Sequence, residues 1–142
     1  MNDRILQSAQ GIDRVLDSLH AVALFVHEYA LRAEPDNYAR NNILLEITLC
    51  TESLYCTGKV MPGYEKWLER MHDESQQIDW IDITEVRSLP VLAINVLRTK
   101  IRETELTFCN MDENPLARRI LQILNQLSGA AFVAMAREKE SR

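Results

Sequence analysis

Apolar residues along this chain recur at steps of three and four through long stretches, the spacing that places them on one side of an α-helix. Five stretches show this pattern, and residues typical of helix ends bound most of them. We predict helices that begin near residue 8 or 11 and end at 33, and helices over 35–57, 64–71, 88–109 and 115–138. We interpret residues 76–88, which lack the spacing, as an extended loop.

Helix boundaries are indicated by a few residues with strong positional preferences. Pro35 suits the first position of the second helix, because proline has a fixed φ and no amide hydrogen to leave unpaired. Gly58 suits the end of that helix, where the backbone often turns left-handed. Thr84 or Ser88 can cap the fourth helix, and Asn114 can cap the fifth.

The second helix is unusual because it is apolar on two opposite faces. One stripe consists of Ala39, Ile43, Ile47, Cys50 and Leu54. The other consists of Tyr38, Leu45, Leu49 and Cys56. Such a helix is expected to be covered on both sides, by neighbouring helices, by a second copy of the chain or by a partner. We therefore interpret the second stripe as a candidate homodimer interface.

Four long helices and one short helix, with few glycines and prolines between them, predict an all-α protein built as an antiparallel helical bundle. We expect one helical domain over residues 1–142, since the length suits a single core and no linker interrupts it. The three cysteines have no Cys-x-x-Cys spacing and favour reduced thiols in a cytoplasmic protein.

Charge and hydropathy exclude two classes of partner. The chain carries 16 basic and 21 acidic residues, a net charge of −5, which is the wrong sign for binding nucleic acid phosphates. It has no apolar run of the roughly 18 residues that a membrane-spanning helix needs. We therefore expect neither nucleic acid nor membrane as a partner.

No local motif for catalysis or cofactor binding is present. The sequence has no Gly-x-Ser-x-Gly elbow, and its glycines are too isolated to form a phosphate loop. Glu69 and His72 have the spacing of a carboxylate and an imidazole that share a metal on one helix face. Because a two-residue pattern arises easily by chance, we assign no catalytic residue, metal ligand or cofactor.

Acidic charge is concentrated in residues 64–86. This segment has seven acidic residues against Lys66 and Arg70, a net charge of −5, so the remaining 14 acidic and 14 basic residues cancel. It also contains both tryptophans, and aromatic residues beside concentrated charge are typical of protein interfaces. The predicted partner-binding residues are Tyr64, Trp67, Glu69, Asp73, Asp79, Trp80 and Asp82.

The sequence thus favours a small, non-catalytic protein–protein interaction module, such as a regulator, adaptor, inhibitor or immunity-type protein that meets a basic partner surface. The alternative is a helical bundle that binds a metal or a small ligand in its core, which leaves an enzyme open. A solvated acidic face, with both tryptophans closing one end of the bundle, would explain the same pattern without any partner.

Overall fold

The structure is a computed structural model that describes residues 12–79, 88–111 and 114–140, with side chains described as far as residue 137. These residues form helices and short connections without a strand. The helices are α1 (Ile12–Ala33), α2 (Tyr38–Thr57), α3 (Tyr64–Gln76), α4 (Leu89–Cys109) and α5 (Pro115–Glu140). The predicted all-α class is therefore confirmed.

The four long helices pack in a ring around a shared apolar core. α1 lies against α2 and α4, and α5 lies against α2 and α4, so that α5 is diagonal to α1. His20 is hydrogen-bonded to the Thr51 side chain, and the Thr48 hydroxyl donates to the carbonyl of Ala23. Because the later residue of α1 contacts the earlier residue of α2, the two helices are antiparallel. The short α3 packs on the outside of α5. This is the predicted bundle of four long helices plus one short one.

Most of the predicted helix ends are confirmed. The Ser88 hydroxyl accepts a hydrogen bond from Val91 N at 3.2 Å, and the Asn114 side chain accepts one from Leu116 N at 2.9 Å. Gly58 ends α2 with a positive φ, in the left-handed region that glycine favours.

Two boundary predictions are wrong, and three others fall largely or wholly outside the described residues. Pro35 was placed wrongly as the first residue of α2, since Asn37 caps a helix that begins at Tyr38. The third helix was predicted over 64–71, but α3 continues to Gln76. The predicted starts of α1 at residue 8 or 11, the Thr84 cap and most of the 76–88 loop fall outside the described residues.

The predicted position of one residue in the first apolar stripe of α2 is wrong. Ala39 is exposed, and the neighbouring Arg40 is completely buried instead. The rest of that stripe lies in the core as predicted, namely Ile43, Ile47, Cys50 and Leu54.

The Arg40 guanidinium is enclosed by oxygen acceptors at the α1–α2 connection. Nη2 donates to the carbonyl of Ala30 at 2.7 Å, and Nη1 donates to the Glu34 carboxylate at 3.1 Å. Nε and Nη2 both donate to the Asn41 side-chain oxygen, at 3.0 and 2.8 Å, and the Asn41 amide donates to the carbonyl of Glu34 at 2.9 Å. A buried charge is tolerated where its hydrogen bonds are satisfied in this way, so these contacts fix the turn between the two helices.

None of the described helices is long and apolar enough to cross a membrane.

Candidate functional site

An open cavity of about 420 Å³ lies where α3, α4 and α5 meet. Its size falls in the range of about 300–1,000 Å³ that is usual for small-molecule sites. Polar side chains from all three helices converge there beside a few apolar ones. The lining residues are His72, Ser75, Gln76, Ile78, Arg98, Asn125, Ser128, Gly129 and Phe132.

The cavity floor is formed where α3 approaches α5 closely. A Cβ atom added to Gly129 would lie 2.9 Å from Ser75 Oγ and 3.5 Å from His72 Cα. The Ser75 hydroxyl is held in this position because it donates to the carbonyl of His72 at 2.6 Å. The absence of a side chain at residue 129 therefore allows His72 and Ser75 to reach the cavity.

Arg98 provides the positive charge of the cavity. Its Nε donates to the Asn95 side-chain oxygen at 3.0 Å, and it forms no ion pair with a carboxylate of the described residues. Burial lowers the pKa of Arg98, and the neighbouring charge of Arg102 lowers it further. Arginine stays protonated in proteins, so this cation is partly desolvated without a neutralising carboxylate from the described part of the chain.

Arg102 and Glu105 continue the line of Arg98 along α4, at spacings of four and three residues, and so share one side of the helix. Burial raises the pKa of Glu105, while the charge of Arg102 lowers it by less. Glu105 Oε1 is buried and has no hydrogen-bond partner among the described residues. The side of α4 next to the cavity thus carries two cations and one poorly solvated carboxyl group.

The sequence-predicted partner-binding residues do not form the cavity. Glu69, Asp73 and Asp79 are exposed, whereas Tyr64 and Trp67 are half-buried and pack edge to face with ring centroids 6.1 Å apart. Trp80 and Asp82 lie outside the described residues. The prediction for this segment as a binding surface is not tested by these placements.

Some acidic charge of α3 is matched within the chain itself. Glu65 lies 3.5 Å from Arg119, and Glu74 forms an ion pair with Arg137. Both arginines are on α5, on the side that faces α3. These two acidic residues therefore help to hold α3 on the bundle.

The first residue of α3 is also tied to α2. Tyr64 is hydrogen-bonded to the Glu46 side chain, and burial together with this bond raises the pKa of Tyr64. Cys50 lies in the same region, and burial, followed by the Glu46 charge, raises the pKa of its thiol to about 12. A thiol that stays protonated is a poor nucleophile, so Cys50 is a packing residue. All three cysteines are free, with Cys56 and Cys109 exposed.

The Glu69–His72 pair does not assemble a metal centre with other described side chains. Glu69 is exposed and His72 is half-buried, in the cavity lining. Among residues 12–79, 88–111 and 114–137, no three His, Cys, Asp or Glu side chains are grouped closely enough to hold a metal ion.

The second apolar stripe of α2 is exposed in the single chain. Tyr38 is 69% exposed, Leu45 38% and Leu49 40%, and Cys56 is also exposed. Of the three covers that the sequence allowed, the described neighbouring helices do not supply this one. The homodimer stays a prediction.

Fold and site together define a helical-bundle protein with a small-ligand cavity that contains a cation unpaired with any described carboxylate. Residues 9–138 match the family model of the cobalamin adenosyltransferases, and the chain belongs to that family. Neither a curated protein nor a solved structure matches the chain significantly.

Membership of an enzyme family overturns the function predicted from the sequence. The interpretation as a non-catalytic regulator, adaptor or inhibitor is wrong, because the matched family consists of adenosyltransferases. Sequence reasoning missed Arg98, Asn125 and Ser128, which lie on two different helices and come together only through their packing. The signal that could have found the site was the pair Arg98 and Arg102, which interrupts the apolar pattern on one flank of α4.

Proposed function

We propose that this protein transfers an adenosyl group to a cobalamin and that the cavity between α3, α4 and α5 holds the adenosyl donor. Family membership over residues 9–138 supports the reaction. The observation that supports the location is Arg98, which brings a positive charge to the cavity lining and has an amide oxygen of Asn95, but no described carboxylate, as its partner.

A donor with phosphate groups suits this charge. Guanidinium groups bind phosphate oxygens through paired hydrogen bonds, and Arg98 and Arg102 stand one helical turn apart. An anion would relieve the repulsion that each arginine exerts on the other and would replace water around a partly buried cation. The proposed donor is therefore adenosine with a 5′ phosphate chain.

The transfer is balanced as a substitution at the 5′ carbon of the donor. The acceptor, a cobalamin in an electron-rich reduced form, supplies both electrons of the new bond to this carbon. The bond from the carbon to the phosphate oxygen breaks, and the phosphate chain leaves with that electron pair. Arg98 stabilises the negative charge that grows on the leaving oxygen, the role of fixed cations in phosphate-leaving reactions.

The cobalamin itself is too large for this cavity. A corrin macrocycle with its amide side chains exceeds 420 Å³, so the acceptor would approach the open mouth while the donor lies inside. We also propose a cytoplasmic location, which the three free cysteines support.

Anaerobic turnover with chemically reduced cobalamin and ATP tests this function, because the visible spectrum of the corrin changes when a carbon ligand is added. We expect adenosyl transfer by the natural chain. We expect Arg98→Met to lower kcat/KM by about 100-fold or more, as loss of one transition-state charge contact does elsewhere. Lys100→Met is the matched control, since Lys100 is on the same helix but pairs with Glu103 at 3.7 Å.

Two results would contradict the proposal. The first is absence of adenosyl transfer by the natural chain with reduced cobalamin and ATP. The second is an Arg98→Met variant that turns over as fast as Lys100→Met, because the cavity would then have no part in the reaction.

A further inference from the structure

The guanidinium of Arg98 is held by one side chain of its own helix. Its Nε donates to the Asn95 side-chain oxygen at 3.0 Å, and the two residues are three apart on α4, so they lie on the same side of that helix. Both are half-buried. Among the described residues, no side chain or carbonyl accepts from Nη1 or Nη2 of Arg98. The bond at Nε therefore leaves the outer edge of the guanidinium, with its two terminal nitrogens, free to bind a ligand in the cavity that Arg98 lines.

We infer that Asn95 is a positioning residue for the proposed reaction, which fixes the Arg98 guanidinium so that the two terminal nitrogens meet the oxygens of an anionic group. This inference rests on the proposed function, because it assumes that Arg98 contacts the phosphate chain of the donor. Asn95 is not among the residues that line the cavity, so it acts through Arg98 rather than on the donor.

Fixing Arg98 before the donor arrives has an energetic reason. An arginine side chain has many rotamers, and a ligand that must immobilise a mobile side chain loses part of its binding free energy. A guanidinium whose Nε is already bonded to its own helix has less freedom to lose when the anion binds. Two parallel N–H bonds to phosphate oxygens also require a defined orientation of the guanidinium plane.

The acceptor at residue 95 is neutral, which matters as much as its position. A carboxylate there would also accept from Nε, but it would pair with the charge of Arg98 and repel an incoming anion. The amide oxygen of Asn95 orients the cation without cancelling its charge. Arg102, whose charge acts on Arg98, is also a cation, so this side of α4 stays positive beside the cavity.

Asn95→Ala and Asn95→Asp separate orientation from charge. The first variant removes the acceptor, and the second keeps an acceptor of nearly the same shape but makes it negative. Titration calorimetry would measure their affinities for inorganic triphosphate. We expect Asn95→Ala to bind it about 2- to 10-fold more weakly than the natural chain, the cost of immobilising one long side chain. We expect a loss of about 10-fold or more for Asn95→Asp, because its carboxylate pairs with Arg98 and repels the anion. A role in packing alone predicts the opposite order, since aspartate fills the space of asparagine and alanine does not.

Val96→Ala and Val96→Asp are the controls, which introduce the same two side chains one residue further along α4. Val96 is exposed, and it precedes Arg98 by two residues, which places it on nearly the opposite side of the helix. We expect both variants to bind triphosphate as the natural chain does, because solvent screens a charge at that position from the cavity.

A double variant tests whether Asn95 acts through Arg98. In an Arg98→Met background, Asn95→Ala should leave kcat/KM with ATP and reduced cobalamin unchanged, because the group that Asn95 orients is gone. In the natural chain, the same substitution should lower kcat/KM. A role of Asn95 in the stability of α4 would instead lower kcat/KM in both backgrounds.

Three results would overturn the inference. They are equal triphosphate affinities for Asn95→Ala and the natural chain, a smaller loss for Asn95→Asp than for Asn95→Ala, and an effect of Asn95→Ala that persists with Arg98→Met. Each of them leaves the proposed function standing if the natural chain transfers the adenosyl group and Arg98→Met is impaired. Failure of the natural chain to bind either triphosphate or ATP would refute the role of Asn95 together with the proposed function.

Discussion

Replacement of Arg40 by methionine tests how the turn between α1 and α2 is held. The change keeps an unbranched chain of similar length but removes the guanidinium. The carbonyl of Ala30, the carboxylate of Glu34 and the side-chain oxygen of Asn41 would each lose a donor inside the protein. Arg40 is fully buried, so water cannot replace those donors without opening the turn.

The magnitude follows from the number of acceptors left unpaired. An acceptor buried without its partner costs about 1–3 kcal/mol, and removal of one member of a buried charge pair typically costs about 3–5 kcal/mol. Glu34 is partly exposed and keeps some hydration, so we expect about 3 kcal/mol for Arg40→Met. For a chain of this size, such a loss lowers Tm by about 10 °C.

Arg32→Met is the control, because Arg32 also pairs with a glutamate but does so in solvent. Its Nε lies 2.8 Å from Glu28 Oε1, and its side chain is 80% exposed. An exposed pair at this spacing contributes about 0.5 kcal/mol or less. Urea unfolding followed by circular dichroism measures both variants. Equal midpoints for Arg40→Met and Arg32→Met would refute the reasoning that the buried contacts stabilise this turn.

Three further predictions concern other parts of the bundle. Burial raises the pKa of Glu105, so its ionisation destabilises the fold as pH rises above the ordinary value of 4.5. We expect Glu105→Gln to be more stable than the natural chain at neutral pH but not in acid, and a difference in chemical denaturation that does not change with pH would contradict this. Gly129→Ala should be coupled to Ser75→Ala by about 0.5–1 kcal/mol in a double-mutant cycle, because Ser75→Ala removes the hydroxyl that the new methyl group meets. As a control, Gly63→Ala should show no coupling to Ser75→Ala, because a Cβ atom added at Gly63 would have nothing within 4 Å. If the effects of Gly129→Ala and Ser75→Ala were simply additive, α3 would be free to shift. If a second copy covers the outer stripe of α2, light scattering should show a mass that rises with concentration above that of one chain and that returns to one chain in Leu49→Glu. The mass of one chain at every concentration of the natural protein would rule out the homodimer.

The fold could be predicted from the sequence because its determinants are local. The caps at Ser88 and Asn114 bond to amides two or three residues away, and the left-handed turn at Gly58 depends on its own backbone. The apolar spacing of each long helix likewise identifies the side that enters the core. Such signals stand close together in the chain and require no knowledge of tertiary contacts.

The burial of Arg40 could not be predicted in this way. Apolar periodicity favoured Ala39 on the core side, but the acceptors that make a buried guanidinium favourable come from Ala30, Glu34 and Asn41. Their carbonyl and carboxylate groups are brought together by the turn itself. A charged residue is assigned to the surface unless the positions of its partners are known.

The candidate site was missed for a similar reason. Arg98, Asn125 and Gln76 are ordinary surface residue types, and each alone resembles the solvated side of a helix. Their meeting depends on how α3 lies on α5, which Gly129 permits by having no side chain. The sequence predicted α3 to be a binding element because acidic residues are concentrated there. The cavity is instead lined by polar residues near the end of that helix.

The different environments of the three thiols make the natural chain suitable for fluorescent labelling. Cys50 is buried with a thiol pKa of about 12, so a maleimide dye at neutral pH should leave it unmodified. Cys56 and Cys109 are exposed, near the ends of α2 and α4. A donor and an acceptor dye at these two residues would report the separation of those helix ends by energy transfer, in a protein that needs no engineered cysteine.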